Sequence, residues 1–502
     1  MFASVIRCIV ATTVELGNDE VYYRIYATDI QWNYFDHPPM VAWLIRTTTI
    51  NLYFDTEFFI RLGAILSAAV TTWLFYLSGK KIGTAQTGFY AAAIYTATLY
   101  GSIIAGTFIL PDSPQMVCWA GSLYLLIFIT DSKSIGKTKK RKLVLFGLVT
   151  GLGMLCKIHT SFLWLGFLLY IFLYNPKWFR QPVIYLSGFI TLVFFYPVIK
   201  WNIDNQFITF LFHSSRVNIA NSGFDISNFL GFAGGQVLYY NPVIFIFIVI
   251  SVIAAFKNQL PINIQQKRLL LWTSLPLIII ATLISFFKPV LPHWTGPAYS
   301  SLILLTACYF GKRKNNGQAE KRLLPIPLLI ANGFLILVIA AGLTVINFFP
   351  GTIGKKSGIQ TGDGDFTLDM YGWQKLKTEF KRVYRQDTSS RSIQPGAFII
   401  CNKWFSAAHL DYYIARPLAI DLIALGEIYD IHQYAWLNKT RRVMLKDDDA
   451  YCIVPSNNFF DPKSVYASSF ENISAVSTIT QKRNGTICRY FYIYRLSKFK
   501  GN

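Results

Sequence analysis

Ten apolar runs, separated by short loops rich in lysine and arginine, fill residues 58 to 349. An α-helix needs about 20 apolar residues to cross a bilayer, and its backbone groups must all be bonded within the membrane. The runs are 58–78, 85–106, 113–130, 143–157, 160–174, 183–200, 229–256, 269–287, 295–311 and 323–349. They predict a polytopic α-helical membrane protein. The loops Lys80-Lys81, Lys133 to Lys142, Lys177 to Arg180, Lys257 to Arg268 and Lys312 to Arg322 hold 18 basic residues, whereas the intervening polar segments hold only a handful. That asymmetry is the positive-inside signature. If each run crosses once, every basic loop faces the cytoplasm, and Asp19, Asp36, Asp112, Arg216, Lys288 and His293 all face the other side. The formal charge of +21 therefore comes from loop bias and implies no nucleic-acid partner. A hydrophobic content of 53% excludes an ordinary soluble domain.

Both ends depart from this pattern. Residues 1–11 are apolar but interrupted by Arg7. They are too short to span alone and lack the charged start and cleavage site of a signal peptide. They read as the end of a first helix that begins upstream, which gives about 11 spans and a first outer loop at about 12–57. From about residue 350 the composition shifts. Gly351 to Asp365 is rich in Gly, Lys and Asp and reads as a linker. Beyond it no run is long enough to span. Strand-type runs at 397–401, 450–454 and 488–494 are interleaved with helix-type stretches at 373–384 and 406–414. The expected organisation is a transmembrane domain over 1–349 and a small soluble α/β domain over 350–502, large enough for its own core. Cys8, Cys118, Cys156 and Cys308 lie in or beside apolar runs as small hydrophobic filler. Cys401, Cys452 and Cys488 fall in the second domain, where a Cys452–Cys488 bridge is the pairing to test.

Polar groups in so apolar a chain are costly and point to function. The first polar loop carries two acidic clusters, Asn18-Asp19-Glu20 and, about 16 residues on, Phe35-Asp36-His37-Pro38-Pro39. Leu110-Pro111-Asp112-Ser113-Pro114 adds a third acid, and Gly151-Leu152-Gly153-Met154-Leu155-Cys156-Lys157 places a lysine after a glycine-bearing run. Together these four elements resemble the membrane glycosyltransferases that use a polyprenyl-phosphate sugar as donor. That family includes the dolichyl-phosphate-mannose protein mannosyltransferase-like enzymes and the aminoarabinose transferases of lipid A. The resemblance covers roughly residues 15–350. It implies a C-type glycosyltransferase fold and an inverting hexosyl- or pentosyltransferase of the inner or plasma membrane, with its active site and C-terminal domain outside the cytoplasm. The donor would be a polyprenyl-phosphate sugar; the acceptor, a cell-envelope lipid, glycan or protein.

The chemistry asks for a carboxylate at the acceptor and cations or a metal at the leaving phosphate. By the resemblance, Asp19 is the general base, with Glu20 and Asp112 as further catalytic candidates. Each carboxylate also has a structural alternative: Asp19 as a helix cap, Glu20 in a first helical turn and Asp112 as the cap of the run after it. His37, Lys157, Arg216 and Lys288 are candidates for the donor phosphate. Lys157 has snorkelling to the interface as its alternative. Asp36, His213 and His293 are candidates for a divalent metal ion, since a carboxylate and imidazoles suit a borderline ion. Asp36 and His37 precede two prolines, a stiff turn into a helix starting at Pro38 or Pro39. The family's aminoarabinose members carry Glu-Lys where this chain has Asp36-His37. The competing reading is a transporter or flippase of lipid-linked sugars. Transporters place ionisable groups at mid-membrane and often carry internal repeats. Here the acids sit in outer loops, and no repeat is visible.

Overall fold

The computed structural model describes residues 1–220, 222–315 and 323–501. Residues 316–322, in the last basic loop, lie outside the described residues. The helices, in chain order, are α1 (Phe2–Thr13), α2 (Asn18–Tyr26), α3 (Met40–Thr48), α4 (Glu57–Ile82), α5 (Ala85–Ala97), α6 (Asp112–Ile129), α7 (Lys137–Met154), α8 (Ser161–Tyr174) and α9 (Pro182–Asp204). They continue with α10 (Ile208–Val217), α11 (Ile226–Tyr239), α12 (Pro242–Phe256), α13 (Ile264–Trp272), α14 (Leu275–Ser285), α15 (Tyr299–Asn315) and α16 (Ile326–Phe348). The chain divides into two compact units. Met1–Ala11 with Ile30–Val338 forms the first, and Thr12–Asp29 with Ile339–Asn502 the second.

The first unit is a helical assembly built from the apolar runs. Among the described residues, α4, α9, the α13–α14 pair and α16 are long and apolar enough to cross a membrane. The 26 residues of α4 extend about 39 Å at 1.5 Å per residue, more than the roughly 30 Å of hydrocarbon. Two expected spans are interrupted. The run 85–106 becomes α5 followed by a π-helical turn at Tyr100–Ile104. The run 229–256 bends by 99° between α11 and α12. Asn241 adopts φ +65°, and Pro242 opens the next helix, so the backbone cannot continue straight through. The core of this unit gathers Trp119, Phe146, Phe167, Tyr170 and Trp178. Arg7, the charge inside the first apolar run, is buried and donates to the Gly101 carbonyl at 3.1 Å.

The second unit carries a five-stranded sheet: β1 (Phe398–Cys401), β2 (Leu422–Ala424), β3 (Ala450–Pro455), β4 (Phe470–Arg483) and β5 (Thr486–Phe499), in the order β2-β1-β3-β5-β4. β1 pairs parallel with β2 and β3, and β5 runs antiparallel to both β3 and β4. The β4–β5 hairpin turns at Asn484-Gly485, both at positive φ, the conformation that two-residue hairpin turns require. Helix α17 (Trp373–Ser389) buries Leu376 and Phe380, and α18 (Trp404–Leu410) buries Ala407, His409 and Leu410. The fully buried Arg483 donates to the carbonyls of Ile346, Phe349 and Gly351 and pairs with Asp365 at 3.0 Å.

Three expected strand runs are found as β1, β3 and β5, and both helix-type stretches as α17 and α18. β2 and β4 were not expected. β2 is three residues long, and β4 reads Phe-Glu-Asn-Ile-Ser-Ala-Val-Ser-Thr-Ile-Thr-Gln-Lys-Arg, a largely polar edge strand without an apolar run. The expected Cys452–Cys488 bridge does not form. Cys452 pairs across the sheet with Tyr494, so Cys488 lies six positions along β5. That is roughly 20 Å at about 3.4 Å per residue, far beyond disulfide reach. Both cysteines are free and buried.

Candidate active site

The polar motifs of the first unit meet at the ends of α6 and α7 that lie away from the basic residues 137–142. Asp112 opens α6, and Lys157 follows α7 by three residues. Their side chains form a buried ion pair: Lys157 Nζ lies 2.9 Å from Asp112 Oδ2, with side-chain exposures of 6% and 2%. The Tyr100 hydroxyl donates to the other carboxylate oxygen, Oδ1, at 3.0 Å. Tyr100 reaches that oxygen because position 296 is glycine. A Cβ there would stand 2.1 Å from the tyrosine ring. The two glycines before Lys157 serve the same end. A Cβ at Gly151 would strike Phe194, and one at Gly153 would strike Thr160 and Cys118. Their absence lets α7 approach α9 and α6 closely. Thr160 then donates to the Gly153 carbonyl at 2.9 Å and accepts from Gln115 at 3.1 Å, fixing the turn after Lys157.

The Phe35-to-Pro39 element is tied to the same place. The Tyr34 N–H donates to the His37 carbonyl at 3.0 Å, closing a tight turn, and the Met40 N–H at the start of α3 donates to the Leu155 carbonyl at 3.1 Å. Phe35 packs on Phe212 of α10, and the rings of His37 and His213 lie 5.7 Å apart. Arg216, one turn on from His213, lies over the ring of Trp294 at 5.1 Å, and His159 meets the same tryptophan at 6.2 Å.

Four of the chain's six histidines, His37, His159, His213 and His293, thus surround Lys157 and Arg216. Burial, reinforced by His213, Lys157, His159 and Arg216, holds the His37 imidazole well below its ordinary range. Burial, then the charge of Lys157, lowers His159 to about 3 and His293 to about 4. Burial also lowers His213. Near neutral pH all four are uncharged hydrogen-bonding groups. The ionisable side chains beside them are Lys157, Arg216 and Asp112, and Asp36 lies on the element that carries His37.

A metal ion fits this arrangement poorly. The carbonyl oxygen of Asp36, not its carboxylate, lies 2.6 Å from His213 Nε2. A carbonyl only accepts, so that nitrogen carries the proton and is closed to a metal. Among the described residues no three His, Cys, Asp or Glu side chains come together in a way that would hold an ion. The expected set Asp36, His213 and His293 is therefore not assembled as a ligand cage.

Lys288 is half-buried in the turn after α14 and forms no ion pair among the described residues. Asp19 and Glu20 belong to the second unit. Asp19 is exposed in the first turn of α2. Glu20 is buried, and its carboxylate accepts the Gly17 N–H at 3.0 Å, the backward half of a capping box. Sequence reasoning missed Tyr100, which no motif marks, and His159, whose place two residues after Lys157 was the available signal.

A family model for dolichyl-phosphate-mannose-protein mannosyltransferases matches residues 36–201, a segment that holds Asp36, His37, Asp112 and Lys157. The lipid A galacturonosyltransferase RgtD of Rhizobium johnstonii is 21% identical over 384 residues, covering 73% of this chain and 79% of that protein. Two crystal structures of ArnT from Cupriavidus metallidurans are similar in fold. One, bound to undecaprenyl phosphate, gives a TM-score of 0.61 at 13% identity over 98% of this chain and 96% of that one. The other, in the apo state, gives 0.60 at 12% identity over 97% and 96%. These comparisons bear out the resemblance that the sequence motifs carry.

Proposed function

We propose, for a chain that resembles the polyprenyl-phosphate-sugar-dependent glycosyltransferases of the C-type fold, that it moves a sugar from a polyprenyl-phosphate donor to a lipid A-like glycolipid at the extracytoplasmic face of the membrane. The observation that carries this reading is the gathering of Lys157, Arg216 and four neutral histidines beside Asp112 in the first unit. Cations and N–H donors in a partly desolvated setting suit a phosphate ester that becomes a leaving group. RgtD acts on lipid A by its name, and one ArnT structure holds undecaprenyl phosphate; both support the choice of donor and acceptor class.

In the proposed reaction the acceptor oxygen attacks the anomeric carbon as the bond from that carbon to the phosphate oxygen breaks. The electron pair leaves with the polyprenyl phosphate, and the anomeric configuration inverts. Arg216 and Lys157 hold the phosphate as its negative charge grows. The neutral imidazoles of His37, His159 and His293 each have one N–H to offer its oxygens, whereas that of His213 is committed to the Asp36 carbonyl. Asp112, braced by Tyr100, orients the Lys157 ammonium. The resemblance assigns Asp19 as the base that takes the acceptor proton. No step is routed through a metal.

The test is binding of undecaprenyl phosphate to the purified protein in lipid nanodiscs. A charge-assisted hydrogen bond contributes about 1.5–3 kcal/mol. Arg216→Ala should therefore weaken binding by roughly 10- to 100-fold. Equal affinity of the wild type and this variant would remove the phosphate from this cluster.

A further inference from the structure

The segment that carries Asp19 folds with residues 339–502, and its anchoring is specific. Glu15 caps a helix to which it is not adjacent in sequence: its carboxylate accepts the N–H groups of Trp373 at 2.7 Å and Gln374 at 3.0 Å. Those are the first two residues of α17, whose own cap position is a glycine. The Leu16 N–H donates to the Tyr413 hydroxyl at 2.8 Å. On the other side of Asp19, Tyr22 packs on Trp404 at 4.7 Å, and its hydroxyl accepts the Gln433 N–H at 3.0 Å.

Between these anchors Asn18 is held at both ends of its amide. Asn18 Nδ2 donates to Asp369 Oδ2 at 2.8 Å, and His409 Nε2 lies 2.9 Å from Asn18 Oδ1. With the amide nitrogen committed to a carboxylate, its oxygen accepts, and His409 donates. His409 is fully buried and stacked flat on Trp373 at 4.2 Å and 8°. Its own position is therefore fixed. Trp373 donates through Nε1 to the Asp369 backbone oxygen at 3.1 Å. Its ring lies 4.6 Å from the fully buried Arg489 guanidinium, which is bonded to the Leu368 and Tyr371 carbonyls. Two rigid partners thus fix the residue immediately before Asp19, while Asp19 itself faces solvent.

We infer that Asp369, acting through Asn18 with His409 as the opposing brace, is a positioning residue that sets the direction and basicity of the Asp19 carboxylate. The inference rests on the reading of Asp19 as the acceptor base. A carboxylate fixed one residue away does two things. It pins the helix start, so that Asp19 leaves the backbone in one direction. Its charge also acts on Asp19 and makes that carboxylate a stronger base. The coupling is visible from the other side. Burial raises Asp369 to about 6; Arg489 opposes the rise, and Asp19 and Asp365 add to it. Glu15, His409 and Arg489 are the other titratable or charged groups of this network.

The test adds purified enzyme to membranes from cells that lack it and follows sugar addition to the glycolipids by mass spectrometry between about pH 5 and pH 8.5. Undecaprenyl phosphate affinity is measured alongside. Asp369→Ala and Asn18→Ala should each lower the initial rate by about tenfold or more, with undecaprenyl phosphate affinity unchanged within about twofold. Asp369→Asn keeps an acceptor for Asn18 while removing the charge. It should recover rate relative to Asp369→Ala and abolish the rise in rate near pH 6, where Asp369 itself ionises in the wild type. A purely structural role would leave that rise in place. The control is Asp19→Asn. If it is inactive while Asp369→Asn and Asn18→Ala keep the wild-type rate and pH profile, the positioning inference is overturned and the base assignment stands. If Asp19→Asn is fully active, the base assignment fails and the inference goes with it. Should Asp369→Ala not accumulate, Asn18→Ala and Asp369→Asn decide between these outcomes, because both keep the buried side of the network intact.

Discussion

Replacing Asp112 by Asn tests the phosphate cluster through a change in the sign of an interaction. In the wild type the Lys157 ammonium is matched by a carboxylate at 2.9 Å, and both side chains are almost fully buried. Removing one partner of such a pair leaves an uncompensated buried charge and costs about 3–5 kcal/mol. Asp112→Asn keeps the shape and an oxygen for the Tyr100 hydroxyl, so the loss falls on Lys157. A bound phosphate would then supply the missing negative charge. If it binds Asp112→Asn about tenfold more tightly, an undecaprenyl phosphate concentration of about 100 times the wild-type dissociation constant becomes about 1,000 times that of the variant. The stabilisation rises from about 2.7 to about 4.1 kcal/mol. Thermal unfolding in nanodiscs, with and without undecaprenyl phosphate, reads both quantities. The variant should be less stable alone and gain more from the lipid. Lys157→Met should be destabilised and gain less. The double variant should regain most of the stability, since a buried pair replaced as a unit costs little, yet bind poorly. Equal gains in the wild type, Asp112→Asn and Lys157→Met would refute the reasoning.

Three further expectations follow from the same account. Reporter fusions after Lys140 and at the C-terminus should report opposite compartments, and matching compartments would contradict the orientation drawn from the basic loops. Exhaustive chelation of the purified enzyme should leave its turnover within about twofold, because the leaving phosphate is held by side chains; loss of activity with recovery on adding a divalent ion would instead call for a metal. Stability should fall as the pH drops from about 6.5 towards about 4. His293 is held down at about 4, so the unfolded chain takes up its proton first; stability is full above the unfolded value and lost as pH falls through the folded one. His293→Gln should flatten that fall, and superimposable profiles of denaturation midpoint against pH would count against a buried neutral imidazole.

Much of the fold was legible because lipid and water impose opposite demands on the same backbone. The apolar runs and the basic loops mark helices that need no tertiary information to be found. What escaped was local. The break at Asn241 depends on one positive φ and on Pro242, an Asn-Pro pair that was in the sequence but lay inside a long apolar run; the turn at Tyr100 depends on packing against Gly296 and leaves no compositional trace. β4 was hidden because it is a largely polar edge strand with no apolar run to mark it. Within the site, the Gly-x-Gly-x-Leu-x-Lys and Pro-Asp motifs predicted roles for Lys157 and Asp112, but only the structure shows that they share one ion pair. The sequence offered His213 and Asp36 as metal ligands by residue type. The structure instead joins the imidazole to a backbone carbonyl, an acceptor that every residue carries and no motif records. Glu20 shows the converse: the sequence offered a first-turn role beside the catalytic one, and the structure adds the bond from the Gly17 N–H to its carboxylate.

The central claim is tested most directly by mass spectrometry of extracted glycolipids from cells with the chain, without it, and complemented by Asp19→Asn or Arg216→Ala. The account predicts that one sugar unit disappears from a lipid A-like glycolipid when the chain is absent. The wild-type chain should restore that mass, and neither variant should do so despite normal accumulation in the membrane. Glycolipid masses that are identical with and without the chain, under conditions where it is expressed, would contradict it.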